Sequence, residues 1–243
     1  MPQSGMAGKE HGYSIKYMER EIDLKEISDG RLYTANDMVK AGCNECAGCF
    51  SCCQGMGNSI VLDPYDICAL EEGLKTTFEK LMEDKIELNV VDGIIQPNLK
   101  MQGEKECCAF LNGEERCSIH GFRPGFCRMF PLGRVYEEDS FRYFLQIHEC
   151  VYPVKTKVKI KKWLEIPELA KYEAYIRAWH FFLKDVQKIV RETQNDAVIK
   201  SINLYLLKLF YIKPYEDFTD EKGGDFYQQF YERLEEAKKA VKS

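Results

Sequence analysis

An α+β fold is predicted: a small domain built on clustered cysteines and short hairpins, followed by a helical C-terminal section. Three observations carry this. Ten of the eleven cysteines fall in two stretches between Cys43 and Cys150. Two pairs of short apolar runs in that half flank polar turns. From Pro167 onward, apolar residues recur every three or four positions, the helical period. The predicted organisation is an N-terminal segment over 1–36, a cysteine-cluster domain over 37–164, and helices over 165–243 packing on it.

Bulk properties narrow the class. Of 243 residues, 45% are hydrophobic, enough for a core without covalent staples. A net charge of −5 lacks the basic footprint of a nucleic-acid binder, so none is expected as a partner. Met1-Pro2-Gln3-Ser4-Gly5 opens no charged-then-apolar leader, and no apolar run is long enough to span a membrane. The expected location is therefore cytoplasmic, where thiols stay reduced. Eleven cysteines is also an odd number, which excludes complete internal pairing.

The elements follow in order. Ile15–Ile27 reads as short, weakly determined structure, and Thr34–Lys40 as one or two helical turns. Ser59–Leu62 is a strand candidate. Asp63-Pro64 reads as an N-cap with proline at the first helical position, opening a helix through Tyr65, Ile67 and Leu70 that stops near Gly73. Thr76 and Glu79 form a capping-box pattern for a second helix. Asp92-Gly93 between Glu87–Val91 and Ile94–Leu99 is the strongest hairpin signal in the chain. Gly133–Tyr136 and Phe141–Ile147 flank a second, acidic turn. Lys155, Lys157, Lys159 and Lys161 alternate with Thr156, Val158 and Ile160, a strand with one lysine face. Lysines of this kind protect an edge strand against aggregation. Helices then follow from Pro167, from Asp196 as cap, and from Phe226.

The cysteines carry the chemistry. Cys46-x2-Cys49-x2-Cys52-Cys53 is a dense chelating run. In a second frame, Cys43-x2-Cys46-x2-Cys49-x3-Cys53 has the spacing of a ferredoxin cluster loop, with Gln54 where that loop has proline. Two residues between cysteines let both sulfurs turn toward one ion. Thiolates favour zinc, copper(I) or iron–sulfur clusters over hard cations. Cys108, Cys117, Cys127 and Cys150 supply the missing half. The predicted ligand set is Cys46, Cys49, Cys52, Cys53, Cys108, Cys117, Cys127 and Cys150, enough for two four-ligand sites. Two frames compete for Cys43, Cys107 stands beside Cys108 as a bystander, and Cys68 reads as a small buried hydrophobe. Zinc and an iron–sulfur cluster both remain open as cofactor.

These residues carry a resemblance. The run Cys46–Cys53, Asp63-Pro64-Tyr65-Asp66-Ile67, Cys108-Ala109-Phe110-Leu111, Cys117-Ser118-Ile119-His120, Arg123-Pro124, Cys127-Arg128-Met129-Phe130-Pro131 and Cys150 together resemble the YkgJ-type cysteine-cluster family. His120 departs from that pattern, which often has tyrosine there. The resemblance implies a zinc- or iron-chelating domain. A related cysteine pattern occurs in the flagellin lysine methylase family, associated with an iron–sulfur centre. That resemblance covers the cysteines alone and implies an alternative: an iron–sulfur metalloenzyme or redox accessory protein with lysine methylase-like activity. No Gly-rich nucleotide loop accompanies it, and no catalytic residue is singled out.

Other patterns carry less. Cys117-x5-Arg123 has the spacing of a phosphatase loop but lacks the preceding histidine, and Pro124 follows at once. The Cys-x-x-Cys pairs lack the strand–helix context of a dithiol oxidoreductase. Arg123, Arg128 and Arg134 are expected to offset thiolate charge from the surrounding shell. His120 and His148 adjoin ligand cysteines and are candidate replacements, whereas His11 and His180 look incidental. A protein partner would dock through the C-terminal helices or the lysine-faced strand.

Overall fold

The computed structural model describes residues 24–43, 49–216 and 226–241. Cys46 and most of the Ile15–Ile27 segment lie outside these. A single turn, α1 (Leu24–Ile27), is followed by bridges from Ser28 to Gln146 and from Tyr33 to Tyr143. Thr34–Lys40 is not helical: a turn leads into β1 (Met38–Gly42). Val39 and Ala41 are buried while Met38 and Lys40 are exposed, a period of two that overrides the local helical pattern. Ser59–Leu62 makes only bridging contacts, with Leu62 N–H donating to Pro97 O and Leu99 N–H to Ile60 O.

The Asp63 signal holds. α2 (Pro64–Leu74) begins with a full capping box between Asp63 and Asp66 and ends on Lys75 in the left-handed region. α3 (Phe78–Asp84) is capped one residue later than expected, by Thr77, whose hydroxyl accepts from Lys80 N–H. Glu71, from the end of α2, accepts from Phe78 N–H at 2.7 Å.

β2 (Ile86–Val91) and β3 (Ile94–Leu99) pair in register through Asp92-Gly93, both at positive φ as a type I′ turn requires. β4 (Met101–Gln102) and β5 (Cys107–Cys108) form a second, short ladder. α4 (Gly125–Met129) precedes the predicted acidic-turn hairpin, β6 (Leu132–Tyr136) against β7 (Phe141–Leu145). β8 (Thr156–Lys159) is the lysine-faced strand, and its partner is β1. It stops short of Lys161, which lies in α5 (Ile160–Leu164), because Ile160 and Leu164 are wholly buried on one helical face.

The C-terminal section consists of α6 (Leu169–Glu192), α7 (Asp196–Leu207, continued by a π-turn over Lys208–Ile212) and α8 (Phe226–Ala240). Asn195, not Asp196, caps α7, accepting from Ala197 and Val198 N–H. These helices cover the hairpins directly. Asn203 on α7 accepts from Ile95 N–H at 2.6 Å and donates to Gly93 O at 3.1 Å, clamping the β2–β3 turn. Tyr65 on α2 lies edge-on to Tyr172 of α6 and Phe226 of α8, at 5.5 and 5.2 Å. Trp179, Phe210 and Phe230 continue this aromatic layer, so one apolar cluster runs from the hairpins through the helices.

Candidate metal centre

Four separate pieces of backbone deliver thiols to one cavity. A 3-10 turn over Ser51–Cys53 brings Cys52 and Cys53. The β4–β5 ladder turns Cys108 inward, while its strand neighbour Cys107 receives a hydrogen bond from Gln54 Nε2 at 3.3 Å. A bridge between Leu111 and Cys117 presents the third piece, and α4 the fourth, with Cys127. The first residue of α4 is tied down from α2: Gly125 N–H donates to Asp66 Oδ1 at 2.7 Å. A Cβ at Gly125 would overlap the Tyr172 hydroxyl, so only glycine lets α4 sit this close to α6.

The cavity has a volume of about 250 Å³ and is lined by Cys49, Cys52, Cys53, Cys108, Cys117 and Cys127. Ile60, Leu99, Ile119 and Phe126 make its apolar walls, and Arg116, Arg123, His120 and Glu165 also line it. Arg123 contacts the His120 ring and pairs with Glu165 at 3.6 Å. Arg128 braces the same loop, donating to the Arg123 and Glu165 carbonyls at 3.0 Å each. Arg134 instead lies over the Phe141 and Tyr172 rings, within the hairpin core.

The thiols influence one another. A hydrogen bond with Cys53 pulls Cys52 down to about 7, against burial and with help from Arg123. Cys53 is raised by the same bond and by burial. Burial raises Cys108 and Cys117, and neighbouring thiols oppose their ionisation further. Cys127 is pushed well above its ordinary value by burial first, then by Cys108, Cys117 and Cys52. Cys52 apart, these thiols hold their protons until a cation replaces them. They are therefore suited to a soft metal, which binds thiolate and releases protons on binding.

Cys150 lies apart from these five. Burial raises it, and its thiol neighbours are Cys43 and Cys49. Of the predicted ligands, the structure thus brings Cys52, Cys53, Cys108, Cys117 and Cys127 together, places Cys49 at their edge, and sets Cys150 in a second group. Cys46 lies outside the described residues. His120 is in the cavity wall, whereas His148 is exposed. Cys68 is buried within α2. Among the described residues, no group of three or more His, Cys, Asp or Glu is gathered closely enough to hold an ion as it stands. Asp66 is the residue that sequence reasoning missed. Its three-residue spacing from Asp63 was the available signal, since a capping box places a second carboxylate at the helix start.

Fold and cavity together define a domain with a thiol-lined cavity. Residues 45–151 match the model of the CxxCxxCC family, described as "Putative zinc- or iron-chelating domain". No curated protein and no solved structure matches the chain.

Proposed function

We propose that the thiol-lined cavity beside α4 is the larger of two and holds an iron–sulfur cluster, and that the protein is an iron–sulfur carrier or redox component. The observation that carries this is the donor count against the space. Six cysteines surround an apolar cavity of about 250 Å³, more sulfur and more room than a single tetrahedral ion uses. Cys53, Cys108, Cys117 and Cys127 would hold the cluster, with Cys52 as the most readily ionised thiol beside them. Arg123 offsets the thiolate charge, and the apolar walls keep water from the sulfurs. When bound, such a cluster supplies one-electron transfer at a potential set by charge, hydrogen bonding and exposure.

Zinc is the second reading, because those same four thiols suffice for a closed structural site. Anaerobic purification with iron, sulfide and zinc analysis and visible spectroscopy separates the two. Brown protein with matched iron and acid-labile sulfide is the expected result. Colourless protein with stoichiometric zinc would overturn the cluster.

A further inference from the structure

Cys43 lies outside the segment that matches the family model, which begins at residue 45. It is nevertheless among the most buried cysteines, only 2% exposed. It directly follows β1, whose last residue, Gly42, pairs with Thr156 of β8. Gly42 packs against Thr156 so tightly that a side chain there would collide with the threonine hydroxyl. The same strand region fixes Cys150, whose carbonyl accepts from Lys155 Nζ at 2.7 Å. The ladder thereby brings together two cysteines that are remote in sequence.

Both face a second, much smaller cavity, of about 20 Å³, whose thiol lining is Cys43, Cys49, Cys52 and Cys150. Glu149 is its charged neighbour. Phe130 and Trp163 line this cavity and the larger one alike, so they form part of the wall between them. Trp163 is locked in that wall by its Nε1–H bond to Phe130 O at 3.1 Å.

We propose a second metal site, formed by Cys43, Cys49 and Cys150 with Cys52 on the shared wall, that takes one soft divalent ion of the zinc class. The contrast in volume sets the occupant. A cavity this small admits a bare ion and excludes a cluster with its inorganic sulfides. Three or four thiolates around one divalent ion leave net negative charge. Lys155, beside Cys150, is the cation that answers it. The thiols are not yet closed on a point, so loading draws them inward.

The test uses full-length protein, reconstituted anaerobically with iron and sulfide and then given zinc. Iron, sulfide and zinc are measured together with the visible spectrum. Cys43→Ser and Cys150→Ser are each expected to lose about one equivalent of zinc while keeping wild-type iron and spectrum. Cys117→Ser is expected to lose the content of the larger cavity and keep that zinc. Wild-type zinc in both Cys43→Ser and Cys150→Ser would overturn the second site. Should the buried Cys43→Ser fail to fold, alkylation footprinting needs no variant. In wild-type protein, zinc must protect Cys49 and Cys150, and unchanged alkylation of both would overturn the site. The two readings fail separately. Colourless protein that loses different zinc ions on Cys43→Ser and on Cys117→Ser supports the second site and overturns the cluster.

Discussion

Gly125 and Tyr172 meet where α4 touches α6. The fully buried Tyr172 hydroxyl has no hydrogen-bond partner among the described residues, and it fills the space a Gly125 side chain would need. Gly125→Ala is expected to cost about 1–3 kcal/mol through overpacking and to weaken metal retention by moving Cys127. Tyr172→Phe is expected to be nearly neutral, because it removes an unsatisfied hydroxyl. The double variant should recover part of the loss, and denaturant unfolding of all four proteins measures that coupling. Glu71 makes a different prediction. Burial, with a smaller contribution from Glu79, raises it from 4.5 to about 7, although the Phe78 N–H bond favours the charged form. The folded state therefore keeps a proton that the unfolded chain releases. Stability falls as pH rises between those two values, and above them the half-buried carboxylate is a burden. Glu71→Gln keeps the acceptor for Phe78 N–H. It should unfold at a higher temperature than wild type at about pH 8, with the advantage shrinking toward pH 4.

Among elements, those fixed by neighbours in sequence were legible and those fixed by distant partners were not. The β2–β3 hairpin is written in Asp92-Gly93, and the start of α2 in Asp63-Pro64, because each is decided by local backbone and capping chemistry. Thr34–Lys40 reads locally as helical turns, yet its second half enters β1, because the partner of β1 is β8, more than a hundred residues away. The same non-locality hid the partition of thiols. Spacing singles out the cysteines as candidate ligands, but only the three-dimensional structure sorts Cys43 and Cys150 from Cys53, Cys108, Cys117 and Cys127. Asp66 joins two elements in one residue: its carboxylate accepts from Asp63 N–H at 3.1 Å on α2 and from Gly125 N–H on α4. Asp66→Ala strands both donors and is expected to cost about 1–3 kcal/mol, with weaker metal binding. Asp66→Asn, which keeps an acceptor for Gly125, should lose less. Thermal unfolding and metal content of the two variants provide the comparison.

For the whole molecule, the thiols that line the larger cavity come from four segments, and the apolar cluster that supports them continues through Tyr65 into α6 and α8. Stripping the metal with a chelator is therefore expected to lower the unfolding temperature of the helices as well as of the cysteine segment, read by far-ultraviolet circular dichroism. Because burial holds Cys108, Cys117 and Cys127 protonated, metal uptake should release protons, and affinity should rise with pH. Calorimetry in buffers of different ionisation heat measures that release. Among the described residues no helix is long and apolar enough to cross a membrane.

The scatter of the thiols along the chain has a temporal side. Cys52 and Cys53 are synthesised well before Cys127, and at typical elongation rates the interval is about 4–15 s. Throughout it, the dense first run leaves the ribosome without the sulfurs that complete its cavity. The nascent chain therefore exposes adjacent, ionisable thiols before it can bury them. Metal delivered during that window would meet an incomplete ligand set, so loading is expected to await α4.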